Sequence, residues 1–446
     1  VWRSMRTDYL IIGNSAGGIG AVEAIRQIDR EGLITIISDE PYPVYSRPLI
    51  SEHLAGEMDL VGMLYRSDDF YTVNKVQTIF GKEVVCLDIA AGEVELADTE
   101  KISYQKLLLS TGGNPIFPPM DGSDKRGVFT FTTLDNAKEI AEMVKEGSRK
   151  AVVIGGGLIG ISVTDALKKL GVNVIIVELM GRILSAVLDE EASRMAREVV
   201  EAADVEFRTG HTVKTIVGDD GIVSGVILDD GEEIECDLVI VAIGVVPRID
   251  LVKDTDIKVN RGILVDRHMA TSNPDVYACG DVAESYDFIY EDDRVVPIWP
   301  NAHIGGRIAG YNMAGKEAEY HGGTAMNSLK YFGLSIVSAG MVNPMRDIEC
   351  EVLSQRDDGR YQKFVLQNGK LVGMVLVRDI EKAGIYFGLM RDGVDVSDFK
   401  DSLLSEEFGI ISLPENILRK RLDLPDLSKL SAVTVREEIE VVVDEG

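Results

Sequence analysis

Cysteine is scarce in this chain and nowhere clustered: Cys86, Cys236, Cys279 and Cys350 are the only four among 446 residues. No CxxC pair and no metal-ligand spacing occurs, so no zinc or iron-sulfur site is expected, and a reducing cytoplasm is the expected setting. Long apolar runs are missing as well. None approaches the roughly 20 residues that cross a bilayer, and no signal-peptide pattern is read. Positive charge is short, with 46 Lys and Arg against 74 Asp and Glu, a formal charge of -28. Such a surface repels nucleic acid and anionic membranes, and a small acidic carrier would need a local basic patch to dock.

What the chain does have is glycine in two matched places. Tyr9-Leu10-Ile11-Ile12 runs into Gly13-Asn14-Ser15-Ala16-Gly17-Gly18, and Ala151-Val152-Val153-Ile154 runs into Gly155-Gly156-Gly157-Leu158-Ile159-Gly160. Each is an apolar strand, a glycine turn and a helical pattern, which brings backbone N–H groups and a helix N-terminus up to a pyrophosphate. Two such sites in one chain can hold two dinucleotides face to face, an arrangement suited to electron transfer. The length predicts two or three domains.

Around the turns the pattern predicts a helix through Ala21, Ala24, Ile25 and Ile28 with a strand over 33–38, then a helix over 158–170 with a strand over 173–178. Their continuous apolar strands fit parallel sheets buried on both faces. Asn114-Pro115-Ile116-Phe117-Pro118-Pro119 reads as a stiff connector, and Gly244-Val245-Val246-Pro247 as its return. The expected plan is therefore nested, one dinucleotide unit inserted into the other. After residue 323 the pattern changes to strands over 335–340, 362–366 and 370–377, a turn at Asn368-Gly369 and a helix over 381–390. This tail is expected to serve packing and oligomerisation. Residues 423–446 receive no assignment.

In the second turn the glycine spacing is complete, and Glu178 stands 18 residues after Gly160. An acid there accepts both ribose hydroxyls of an adenosine and repels a 2′-phosphate, which favours NADH over NADPH. Arg182 is the alternative, a phosphate partner if Glu178 points elsewhere. In the first turn Ser15 replaces the middle glycine. Two further segments support that site: Leu107-Leu108-Leu109 ending in Ser110-Thr111-Gly112-Gly113, and Val276-Tyr277-Ala278-Cys279 ending in Gly280-Asp281. Glycine permits close approach there, and Asp281 can accept hydroxyl protons from a ribityl chain.

These ordered motifs resemble the FAD-dependent pyridine nucleotide-disulfide oxidoreductases over nearly the whole chain. The resemblance implies an α/β fold with two nested Rossmann-like domains: FAD in 1–113 and 245–322, NAD(H) in 114–244, and a C-terminal α+β interface domain in 323–446. It places FAD against Gly13, Ser15, Ala16, Gly18, Ser110, Thr111, Gly112, Gly280 and Asp281. NAD(H) falls against Gly155, Gly157, Leu158, Ile159, Gly160 and Glu178, with Gly244 in the return crossover, where Arg248 stands in place of a common asparagine. Ile298-Trp299-Pro300-Asn301-Ala302, with Gly305, Gly306 and Ala309, is similar to the helix beneath the flavin.

Within the family, the stretch Pro43 to Gly56 resembles rubredoxin and ferredoxin reductases, nitrite reductase flavin domains and NAD-linked flavoprotein subunits of iron-sulfur enzymes. Pro48 then stands where disulfide reductases carry a redox cysteine, and the nearest cysteine in sequence is Cys86, on an apolar strand. Without that thiolate, disulfide and peroxide reduction lose their nucleophile. The function implied is hydride transfer between NAD(H) and FAD, with electrons passed to or from an iron-sulfur or rubredoxin-type protein. An NADH oxidase and a non-catalytic flavin-bearing subunit are the alternatives. Hydride transfer needs no general base, so no catalytic acid or base is assigned, and no metal.

Several residues have two readings. Asp39 or Glu40 is expected at the FAD ribose, against a solvated turn before Pro41. Arg47 lies along the flavin or its phosphates, or braces its loop through a carboxylate. Glu52 replaces a lysine frequent near this position, and His53 is a helix-surface or packing residue. Trp299 shields the flavin, carries a partner interface or is a core aromatic. Leu418-Arg419-Lys420-Arg421 docks an acidic partner or is a solvated helix end. Cys236 and Cys279 are expected as inert buried thiols, and a homodimer is possible.

Overall fold

The computed structural model describes residues 5–345, 347–414 and 417–418. Arg419 to Arg421, and the unassigned segment 423–446, lie outside them.

The apolar strand Met5–Ile12 sits at the centre of a parallel sheet, flanked by Ile34–Ser38 and Lys101–Leu109. Val76–Phe80 extends one side, and Val276–Ala278 pairs with Leu107–Leu109 on the other. Strands such as Ile34–Ser38 are buried at every residue, as two-sided coverage by helices requires. After Leu109 the chain leaves this sheet through Gly113–Pro115. It builds a second parallel sheet in the order Glu206–Thr209, Asn173–Glu178, Lys150–Ile154, Leu238–Val241, Val128–Thr130, then returns through Val245–Pro247, which pairs antiparallel with Gly113–Pro115. The fold is thus mixed α/β, with one Rossmann-like sheet threaded into the other.

The remaining chain forms a five-stranded antiparallel sheet, Met326–Tyr331, Leu334–Gly340, Lys370–Val377, Arg360–Gln367 and Glu351–Asp357 in spatial order. Asn368 and Gly369 both have positive φ (50° and 74°), the turn that lets two twisted strands close in two residues. One face of the sheet packs beneath helix Ala383–Arg391 through Phe364, Met374 and Leu376. The other, with Tyr331, Ile336, Val375 and Val377, shares a core with the second parallel sheet.

Cys86 lies on a strand as expected, Val84–Asp88, which is part of an antiparallel hairpin and leaves Cys86 exposed. Its apolar side chains Val84 and Leu87 face inward while Val85 and Cys86 face solvent.

Helix Trp299–Met313 lies across the first fingerprint helix, Ala16–Ile28, at backbone contact. A Cβ on Gly306 would come within 2.0 Å of the Gly17 carbonyl oxygen, and one on Gly310 within 2.5 Å of that of Ala21. We predict that Gly306→Ala lowers the thermal midpoint of the protein, the overpacking costing roughly 1–3 kcal/mol. Gly181→Ala, where a Cβ meets nothing within 4 Å, leaves the midpoint nearly unchanged.

Candidate functional site

The two glycine turns have the same construction. Gly13 (φ 115°) lies so close to the end of Lys101–Leu109 that a Cβ would sit 2.1 Å from the Ser110 carbonyl oxygen; Gly155 (φ 108°) stands 2.4 Å, by the same measure, from that of Ala242. Behind each turn the last glycine rests on the first: Gly18 against the Gly13 carbonyl, Gly160 against that of Gly155. In both units the turn's first N–H donates to the neighbouring strand, Gly13 to Ile37 at 2.9 Å and Gly155 to Val177 at 2.8 Å.

Neither fingerprint helix has a side-chain N-cap hydrogen bond or an acidic residue in its first turn. Two helices close by are capped in the ordinary way: Leu134–Glu146 by Thr133, Glu190–Glu201 by Asp189. The two uncapped N-termini face one continuous cleft of about 1830 Å³. Free N–H groups and the positive end of a helix dipole are what a pyrophosphate needs.

The cleft collects nearly every residue singled out in the sequence. Gly13, Ser15, Ala16, Asp39, Glu40, Arg47 and Pro48 line it, with Ser110, Thr111, Gly112, Gly280, Asp281, Trp299 and Ala302. So do Gly155, Gly157, Leu158, Ile159, Glu178 and Gly244. Gly18 and Gly160 lie behind their turns, where they set helix-to-strand spacing instead of facing the cleft.

Three side chains bear on how the cleft fits FAD and NAD(H). Asp281, in the short helical turn Gly280–Val282, has no hydrogen-bonding side-chain partner, and burial pushes its carboxyl above the ordinary range while Arg47 pulls it back. A carboxylate kept partly dry with no side-chain hydrogen-bond donor suits a hydroxyl-rich ligand. Glu178 accepts from the N–H of Gly156 at 2.5 Å and of Met180 at 2.7 Å, so it points into the second turn. Arg182 donates to the Leu188 carbonyl at 2.8 Å and does not line the cleft. The residues present therefore fit both dinucleotides.

The acids of the first turn are arranged differently. Matching Gly13 N–H on Ile37 with Gly155 N–H on Val177 puts Ser38 where the second unit has Glu178. Asp39 and Glu40 follow one and two residues later. Asp39 pairs with Arg248 at 2.6 Å, which also holds Glu83 at 2.6 Å. Glu40 pairs with Arg47 at 2.5 Å and accepts from the Tyr45 hydroxyl at 2.7 Å. Arg47 also donates to the Thr132 carbonyl, so it braces its loop against the inserted unit while bordering the cleft. The Arg248 network was not anticipated; the only signal was its departure from asparagine.

Trp299 opens its helix half-buried at the cleft, edge-on to Tyr65 at 5.1 Å, and is not a core aromatic. His53 meets the Met58 carbonyl at 2.9 Å, a packing role. Glu52 lines the cleft and accepts from the Ser51 hydroxyl at 2.8 Å. Of the cysteines only Cys279 borders the cleft. Its thiol lies under Gly17, and burial pushes it up to about 12, with Asp281 adding to the shift. Cys236 is likewise buried and pushed up to about 12.

The C-terminal sheet does more than pack. Its hairpin tip, Lys330 to Gly333, forms a wall of the cleft, and the Phe332 N–H donates to Asp165 at 3.1 Å. The tail contains no dinucleotide motif, so its sequence offered no sign of this wall.

The pyridine nucleotide-disulphide oxidoreductase profile matches residues 7–325, and that of the rubredoxin NAD+ reductase C-terminal domain matches 326–394. The chain is 32% identical over 396 residues to the NAD(P)H nitrite reductase of Bacillus subtilis, covering 88% of this chain but 48% of that protein, so it spans about half its length. It is 30% identical over 411 residues to the epsilon subunit of NADH-dependent phenylglyoxylate dehydrogenase from Aromatoleum evansii, covering 91% of this chain and 96% of that one. Among solved structures, NADH:rubredoxin oxidoreductase from Clostridium acetobutylicum aligns with TM-score 0.74 and 26% identity, over 90% of this chain and 99% of that one.

Asp281 yields a prediction with a definite sign. Its folded-state pKa lies above the unfolded value, so ionisation costs stability as the pH rises past about 4. Asp281→Asn should therefore raise the melting temperature of the FAD-free protein at pH 7, with the gain shrinking as the pH falls toward about 4. Differential scanning of both proteins across that range measures the gap. A gap that widens toward low pH contradicts the assignment.

Proposed function

This chain belongs to the pyridine nucleotide-disulphide oxidoreductase family, and we propose that it transfers a hydride between NAD(H) and bound FAD and exchanges electrons with an iron-sulfur or rubredoxin-type protein. The observation that carries this reading is the pair of uncapped helix N-termini, each behind a glycine turn, opening on one cleft.

We assign residues 1–113 and 245–322 to FAD, 114–244 to NAD(H) and 323–446 to an interface domain. Gly13, Ser15 and Ala16 would offer backbone N–H groups to the FAD pyrophosphate, and Asp281 would accept from its ribityl hydroxyls. Gly155, Gly157, Leu158 and Ile159 would hold the second pyrophosphate. Glu178 would take the adenosine ribose, and its charge together with the commitment of Arg182 to Leu188 favours NAD(H) over its 2′-phosphorylated form. Bound FAD supplies two-electron exchange with a nicotinamide and one-electron exchange with a metal centre.

Pro48 stands at the cleft in place of a redox cysteine, and the cysteine that does border the cleft, Cys279, is held protonated at neutral pH by burial. This favours an outside acceptor over disulfide chemistry. Among the described residues no helix is long and apolar enough to cross a membrane. The reading includes a cytoplasmic setting and a homodimer formed through the C-terminal domain, where Ile411 is 93% exposed. The nitrite reductase and phenylglyoxylate dehydrogenase relatives motivate a place beside a larger iron-sulfur enzyme.

Anaerobic mixing with NADH should bleach the bound flavin, and replacing all four cysteines with alanine should leave NADH-to-dye turnover largely intact. Loss of turnover in a folded four-alanine protein would restore a thiol mechanism, and oxygen uptake as fast as dye reduction would favour an oxidase. Glu178→Ala should raise the KM for NADH at least about tenfold, as expected for losing hydrogen bonds to a charged group, while FAD content holds.

A further inference from the structure

The wall of the cleft beside Glu178 is the loop 179–189, whose Leu179, Met180, Leu184, Ser185 and Val187 line it. This loop is stitched to the second glycine turn: the Leu184 N–H donates to the Gly156 carbonyl at 2.8 Å, next to the N–H that Glu178 holds. Leu184 adopts φ 53°, a conformation costly for a branched side chain that persists only where the surroundings impose it.

Part of that imposition comes from another unit of the fold. Asp189, at the far end of the loop, is 8% exposed, as is Lys363 from the C-terminal sheet. The two form an ion pair at 3.1 Å, and the Tyr361 hydroxyl donates to the same carboxylate oxygen at 2.6 Å. The other carboxylate oxygen of Asp189 caps helix Glu190–Glu201 through the Ala192 N–H at 3.1 Å. The Asn343 amide donates to the Leu188 carbonyl at 2.9 Å and the Ser185 carbonyl at 3.3 Å. Arg356 reaches Glu191 at 2.7 Å. Four side chains from the antiparallel sheet and its connections thus converge on four residues of the inserted unit, Ser185, Leu188, Asp189 and Glu191.

We propose that the C-terminal sheet clamps the loop 179–189 in the shape that receives the nicotinamide dinucleotide, making Lys363, Tyr361 and Asn343 positioning residues for NAD(H). The inference rests on the assignment of NAD(H) to the second turn. It gives the C-terminal domain a part in cofactor affinity in addition to any part in assembly. A buried pair with every oxygen engaged holds one geometry, and removing one partner releases it.

The test uses the oxidised, FAD-loaded protein and NAD+, which it does not turn over. Lys363→Met should weaken NAD+ binding about tenfold by calorimetry and speed amide exchange across 182–188, while FAD content stays at the wild-type level. Lys363→Arg, which keeps the charge, should recover most of the affinity. Tyr361→Phe and Asn343→Ala each remove polar contacts without stranding a buried charge, so they should shift affinity and exchange together by smaller factors even if Lys363→Met folds poorly. Faster loop exchange with NAD+ affinity within about twofold of wild type overturns the proposal, as does weaker binding with unchanged exchange. Wild-type protein that takes up no NAD+ overturns both this inference and the assignment beneath it.

Discussion

Backbone-to-backbone contact at two points organises this molecule. Where Gly13 meets Ser110 and Gly155 meets Ala242, no side chain beyond hydrogen fits, since a Cβ would stand 2.1 and 2.4 Å from a carbonyl oxygen. The chain must turn sharply there with positive φ, and the following helix must start immediately. Gly18 and Gly160 then let each helix settle on its own turn. Each helix starts from an N-cap, Ser15 or Gly157, that makes no side-chain cap hydrogen bond, and its first residues border the cleft. The cleft follows from these steric facts, because two such starts in nested sheets end up facing one volume.

This geometry has a cost that is visible by contrast. Thr133 and Asp189 cap their helices, a device worth around 1 kcal/mol, whereas the fingerprint helices go without it. Asp281 adds a second cost, a carboxylate partly removed from water with no side-chain hydrogen-bond donor. Both deficits fall on surfaces that a dinucleotide would cover. A site that is less stable without its ligand than the rest of the fold draws its stability from binding, by mass action.

How much of this was legible beforehand depended on whether the signal was local. The strand-turn-helix units, Glu178, Asp281 and the crossover at Asn114-Pro115 are each written in a few consecutive residues, and the structure brings them to one cleft. Contacts between distant segments left no such mark. Arg248 reaches Asp39 and Glu83 from the far side of the inserted unit, and Phe332 reaches Asp165 across 167 residues. The register difference that sets Ser38 opposite Glu178 is equally invisible in composition, because both strands end in the same apolar-to-polar pattern. The exposure of Cys86 was not legible, because short apolar stretches look alike in buried parallel strands and half-exposed hairpins.

The acidic balance of the chain gains a structural meaning from the same comparison. Around the cleft, carboxylates that would repel a phosphate are held by arginines: Glu40 by Arg47, Asp39 by Arg248. Glu178 is instead held by backbone N–H groups, which neutralise no charge. Glu178 thus has no cation beside it at the second turn, whereas Asp39 and Glu40 are paired at the first. At the first turn Asp39 and Glu40 are paired with arginines while Asp281 has no ion-pair partner, and at the second Glu178 meets backbone N–H groups, so acids in a single continuous cavity are held in different ways.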